Sequence, residues 1–195
     1  MSEQSISVAI IDPNAVRAAI LIEGLNAAGI SRVSVIEETA NLLRRLVQLE
    51  PDVVIIDLES PSRDVLEQMF QVSRVVQRPV AMFVDQSDSA MIQAAVDAGV
   101  SAYVVDGLKK ERVKSIVDMA ISRFNAFARL QKELDHAKNE LADRKVIDKA
   151  KGILMKSRGF SEEEAYALLR KTAMNQKARL VDIARSVITA AELLG

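Results

Sequence analysis

Five apolar runs alternate with amphipathic stretches over the first 108 residues of this 195-residue chain, and they limit its fold more than any other feature. The strand-like runs are SVAIID (7–12), RVSVIE (32–37), DVVIID (52–57), PVAMFV (79–84) and SAYVVD (101–106). Helical periodicity fills 14–28, 40–49, 63–77 and 88–98. The runs at 52–57 and 79–84 are almost wholly apolar, as expected of parallel strands covered by helices on both faces. Gly29 and Gly99 fall where helices should stop, and Pro51 and Pro79 precede strands. The expected fold is an α/β doubly wound, flavodoxin-like domain with strand order 2-1-3-4-5.

Ligands of such sheets sit beyond the carboxyl ends of the strands. Three of the five runs end in aspartate there: Asp12, Asp57 and Asp106. Asp57 closes PDVVIID and precedes LESPSRDVLE, and this segment resembles the phosphoacceptor stretch of bacterial response-regulator receivers. The resemblance covers roughly 6–120. It implies Asp57 at the phosphoacceptor position, Asp12 as one of the metal-binding acids and Tyr103 as the switch aromatic. Three positions depart from the receiver pattern: Pro13 replaces the second acid, Val84 the hydroxyl residue after the fourth strand, and Asp106 the lysine after the fifth. Charge developing on a transferred phosphoryl group is stabilised by a metal, an ammonium and a hydroxyl. A phosphoryl group on Asp57 would instead face Asp12 and Asp106 without its usual cation. Aspartyl phosphorylation is therefore expected to be weak or not the physiological signal, which leaves a docking protein partner as the input. Two alternatives stay open: a surviving Mg²⁺ site at Asp12 and Asp57, and aspartates that merely cap helices and turns. Otherwise no cofactor is expected. An enzyme is not expected either, because the chain has no cysteine, one histidine (His136) and no visible base–nucleophile pair.

From Lys109 to about Ser157 no proline interrupts a helical stretch, which would run roughly 70 Å if continuous. Phe127, Leu130, Leu134, Ala137 and Leu141 recur there at 3-4 spacing among charged neighbours. Self-association through this seam is the preferred expectation, with back-packing on the same chain as the alternative. Further helices are expected at about 144–157, 162–175 and 180–194. Ser161 and Glu164 form the S-x-x-E signature of a helix that starts at Glu162. The expected organisation is a domain over 1–120, a coiled-coil dimerisation helix over 121–143 and a helical domain over 144–195.

The charge is uneven. Residues 144–195 hold 11 Lys and Arg against 6 Asp and Glu, leaving 15 and 21 for the rest, so +5 stands beside −6. Lys145, Lys149, Gly152 and Lys156 form one helical stripe, with Lys151 nearby. Ala167, Arg170, Lys171 and Met174 form another at i, i+3, i+4 and i+7. Glycine inside a helix costs about 1 kcal/mol relative to alanine, and amid lysines it would let a partner's backbone approach closely. The segment RKVIDKAKGILMKSRGFSEEEAYALLRKTAM, followed by LVDIA, resembles the ANTAR domain, an RNA-binding output module. Its landmarks are Ala150-Lys151-Gly152, Met155, the capping-box turn, Ala165-Tyr166, Leu169-Arg170, Ala173-Met174 and Ala184. That resemblance implies a dimeric transcription antiterminator acting on paired stem-loops of leader mRNA, with these basic stripes and Met174 on the RNA. The receiver, coiled coil and ANTAR layout is similar to the AmiR and NasT regulators, and SAYVVDGL leans toward NasT-type control of nitrate and nitrite assimilation. In that group a ligand-sensing protein holds the regulator inactive. A phosphorylation-controlled DNA-binding response regulator is the competing reading. The start MSEQSISVAIID has no export signal pattern and no window suits a membrane span, so a cytoplasmic protein is expected.

Overall fold

The computed structural model describes residues 6–38, 40–59, 61–105 and 109–194. Two compact units divide the chain, Met1–Ala128 and Arg129–Gly195.

The first unit is built on a parallel five-stranded sheet in the order β2-β1-β3-β4-β5. Its strands are β1 (Ser7–Ile11), β2 (Arg32–Ile36), β3 (Val53–Leu58), β4 (Val80–Val84) and β5 (Ala102–Val104). The expected strand order holds. The strands alternate with α1 (Ala15–Ala27), α2 (Leu42–Leu49), α3 (Arg63–Val76) and α4 (Ser89–Asp97), and a 3₁₀ turn at Lys110–Arg112 leads into α5 (Val113–Arg158). Every residue of β3 and β4 is buried, the outcome their apolar runs predict.

Strand pleating sends alternate side chains to opposite layers. Ile11, Val54, Ile56 and Met82 pack with Leu46 of α2 and Met69 and Phe70 of α3. Val8, Ile10, Ile55 and Phe83 pack with Leu21 and Leu25 of α1 and with Val113 and Val117 of α5. That second layer explains a mid-helix glycine. A Cβ on Gly24 would meet Val113 Cγ2 at 3.0 Å and the Lys110 carbonyl oxygen at 3.1 Å.

The second unit holds the remainder of α5, then α6 (Glu162–Gln176) and α7 (Leu180–Leu194). Continuity of α5 through 113–158 replaces the separate helix expected from about 144. It stops where Gly159 takes φ +69° and its N–H reaches the Met155 carbonyl, a turn that suits a residue without Cβ. The capping box is formed: Ser161 Oγ accepts from the Glu164 N–H at 3.2 Å, and Glu164 Oε2 accepts from the Ser161 N–H at 2.8 Å. Ala150 and Leu154 of α5, Ala165, Leu169 and Ala173 of α6, and Ile183 and Ala184 of α7 make the small core.

Candidate nucleic-acid interface and acidic pocket

The order of strands reverses around β1, and its end is where the first unit gathers charge. Ile11 is in register with Ile56, so Asp12 and Asp57 leave adjacent strands side by side. Both are 1% exposed. Asp12 Oδ1 accepts the Asn14 N–H at 2.7 Å, while Oδ2 is buried with no hydrogen-bond partner. Burial first, then repulsion from Asp57, pushes the Asp12 carboxyl up to about 6 against the pull of the Asn14 amide.

A cation that the sequence reading did not foresee closes this pocket. Arg17 donates from Nη2 to Asp57 Oδ1 at 2.6 Å and from Nε to Asp57 Oδ2 at 3.0 Å. Nη1 donates to Asp85 Oδ1 at 3.1 Å, so one guanidinium joins the ends of β3 and β4. Hydrogen bonding to Asp57 holds Arg17 further toward its charged form. The usual lysine after β5 is absent from the sequence, and a different cation, from α1, stands beside Asp57. Asp106, assigned to the same pocket, lies outside the described residues. Two signals in the chain could have revealed the arginine. Arg17 is the only lysine or arginine among residues 1–31. It also falls in the first turn of a helix, where the macrodipole disfavours a cation.

The pocket does not fit the Mg²⁺ that receivers hold. Both Asp57 oxygens already accept from Arg17, and Pro13 supplies no second acid beside Asp12. Among the described residues no group of three or more acids, histidines or cysteines is arranged to bind a metal. Tyr103 is half-buried, with its hydroxyl 3.0 Å from Ser87 Oγ.

In the second unit, Arg170, Lys171 and Met174 of α6 are exposed with Ala167, Met174 at 71%. Together with Tyr166 and Asn175 they line an open groove of about 300 Å³. Leu168 and Thr172, on the opposite side, are half-buried beside buried Ala165, Leu169 and Ala173. On α5, Lys145, Lys149 and Lys156 are exposed, and Lys149 Nζ reaches Glu192 at 2.9 Å. Among the described residues Lys145, Lys156, Arg170 and Lys171 have no carboxylate partner within ion-pair distance. Lys151 stands apart from these open cations. Its ammonium lies 2.7 Å from Asp148 and 2.6 Å from Glu162, with the side chain 14% exposed. Asp148 first, then Glu162, holds it charged. Gly152 has nothing within 4 Å of where a Cβ would stand, so packing does not require a glycine there, in contrast to Gly24. Phe127, Leu130, Leu134 and Leu141 on α5 are 68%, 62%, 48% and 56% exposed, with Ala137 exposed between them.

Known proteins resemble parts of this chain. The transcriptional regulatory protein PdtaR of Mycobacterium tuberculosis is 27% identical over 139 residues, covering 71% of this chain and 68% of that protein. The nitrate regulatory protein of Klebsiella oxytoca is 37% identical over 76 residues, 39% of this chain and 19% of that protein. Two solved structures share the receiver fold. The signal receiver domain of a modulated diguanylate cyclase from Desulfovibrio desulfuricans superposes with a TM-score of 0.53 at 19% identity, over 62% of this chain and 97% of that one. A response regulator from Thermotoga maritima gives 0.52 at 18% identity, over 60% and 98%. The response regulator receiver domain model matches residues 8–118, and the ANTAR domain model matches 135–188. The chain belongs to the response regulator receiver family and carries an ANTAR domain in its C-terminal part.

Proposed function

We propose that this chain is a non-enzymatic transcription antitermination regulator. It pairs with a second copy and binds tandem stem-loops in leader mRNA through its ANTAR domain. The observation that carries this reading is the outer face of α6. Arg170 and Lys171 stand exposed beside Met174 and small Ala167, with no carboxylate close enough to satisfy them. Guanidinium and ammonium groups suit the phosphates of a loop, and a flexible apolar side chain suits an unstacked base. The stripe of Lys145, Lys149 and Lys156 with Gly152 extends the phosphate-binding surface, and the open space over Gly152 leaves room for a backbone. Lys151 contributes by tying α5 to the start of α6 through Glu162, and so positions the face rather than leading the contact.

Pairing runs through Phe127, Leu130, Leu134, Ala137 and Leu141, within a coiled-coil segment over 121–143 that separates a receiver unit over 1–120 from the RNA unit over 144–195. An exposed apolar seam at 3-4 spacing supports this assignment. A two-fold dimer presents two RNA faces to two hairpins, and the tether raises the effective concentration of the second contact. Control comes from a ligand-sensing protein partner docking on the receiver unit rather than from phosphate on Asp57, and the site of action is the cytoplasm. The regulated genes serve nitrate and nitrite assimilation, a reading supported by the likeness to the nitrate regulatory protein of Klebsiella oxytoca. No helix among the described residues is long and apolar enough to cross a membrane.

The test is a mobility shift with a twin-hairpin leader RNA. Wild type should bind; Arg170→Ala and Lys171→Ala should each weaken binding and flatten the dependence of log K on log salt by about 1. Variants that bind the RNA like wild type would move the interface elsewhere. Preference for duplex DNA at equal salt would favour a DNA-binding regulator.

A further inference from the structure

The acidic pocket holds more than a degraded phosphoacceptor site would require. We propose that Arg17 is the resident cation of this pocket: its guanidinium takes the place of a divalent metal, clasps Asp57 and Asp85, and holds the carboxyl ends of β3 and β4 and the start of α1 in one metal-independent arrangement.

Three independent observations converge on this assignment. The first is geometry. All three guanidinium nitrogens are used, Nε and Nη2 on the two oxygens of Asp57 and Nη1 on Asp85, a planar fork that a lysine cannot reproduce. The second is position. Arg17 sits in the first turn of α1, whose dipole disfavours it, and that turn contains no acid to offset the charge. The N-cap Asn14 fixes the turn instead, with Oδ1 accepting from Val16 and Arg17 N–H groups. The carboxylates across the pocket therefore account for a cation at that position. The third is the third acid. Asp12 lies beside Asp57, 1% exposed, with Oδ2 unpartnered. Arg17 satisfies Asp57 and Asp85, while Asp12 keeps an oxygen without a partner. With a second buried carboxyl beside it, Asp57 depends on Arg17 for its counter-charge.

This assignment concerns the receiver unit alone. It stands or falls separately from RNA binding, which is measured on a different surface.

The experiment is thermal unfolding of the full chain, with and without 10 mM MgCl₂ (roughly tenfold above a millimolar Kd), for wild type, Arg17→Gln and the Arg17→Gln/Asp57→Asn pair. Wild type should show a melting temperature that moves less than about 1 °C with Mg²⁺ or with EDTA. Arg17→Gln should melt about 10 °C lower, because Asp57 is left buried and unpaired. The double variant should melt well above the single one, since a neutral amide in place of the Asp57 carboxylate needs no counter-charge. If Arg17→Gln does not fold, recovery of a cooperative transition in the double variant supports the assignment. Its continued absence overturns it, as does a wild-type protein stabilised several degrees by Mg²⁺, or a folded Arg17→Gln that melts like wild type.

Discussion

Replacing Asp12 by asparagine should make the protein more stable at neutral pH, although it removes a charge from a buried network. In the folded chain the Asp12 carboxyl is held at about 6, against an ordinary value of 3.8, by burial and by the neighbouring Asp57. At 1.36 kcal/mol per pH unit this places about 3 kcal/mol of destabilisation on the ionised form. The folded state keeps a proton between pH 3.8 and about 6 that the unfolded chain has released, so stability from this group falls as pH rises through that window and levels off above it. Asparagine preserves the Oδ1 acceptor used by the Asn14 N–H and gives the unpartnered oxygen's position a donor. The variant should therefore exceed wild type by up to about 3 kcal/mol at pH 7.5, with the difference shrinking toward zero near pH 4. Urea unfolding followed by circular dichroism at pH 4, 5, 6 and 7.5 reads the difference directly, and comparing the two proteins cancels the titration of carboxylates remote from Asp12. A variant no more stable than wild type at pH 7.5, or a difference that does not change with pH, would refute the reasoning.

Other outcomes follow from single contacts. Gly152→Ala should raise unit stability by about 1 kcal/mol in chemical denaturation, because a helical Cβ there meets open space. The same change should weaken twin-hairpin binding; tighter or unchanged binding would remove Gly152 from the interface. Leu130→Asp with Leu134→Asp should weaken self-association at least about 100-fold by analytical ultracentrifugation, given about 1.5–3 kcal/mol for each buried leucine. An unchanged sedimentation coefficient would place the pairing surface elsewhere. Acetyl phosphate with Mg²⁺ should leave the intact mass unchanged; a stoichiometric gain lost in Asp57→Asn would show that the Arg17 clasp yields to phosphate.

The fold was legible where local rules and tertiary burial agree. VVIID of β3 is apolar because both faces of the strand are covered, so its continuous hydrophobicity carried both the strand and its central place. Ser161 and Glu164 are read as a helix start because the two side chains satisfy each other's backbone amides, a purely local arrangement. Arg17 escaped because its partners are 40 and 68 residues away along the chain, and periodicity reports no pairing between loops that the fold brings together. The stripe of basic residues was legible as a helical pattern, but Lys151 was not separable from its neighbours. Its capture by Glu162 depends on how the turn at Gly159 brings α6 back onto α5. The helix boundary near 144 was lost for a simpler reason: no glycine or proline interrupts α5 there, and packing changes along a helix without breaking it.

A basic helical face meeting transcript is the claim on which the proposed function rests. Its most direct measurement is competition between a labelled twin-hairpin leader RNA and an equal-length DNA duplex for the full-length protein, at fixed low salt. Retention of the RNA against a large excess of duplex, lost when Arg170 and Lys171 are both changed to alanine, is the predicted result. Displacement of the RNA by duplex, or binding that survives the double substitution, would contradict it.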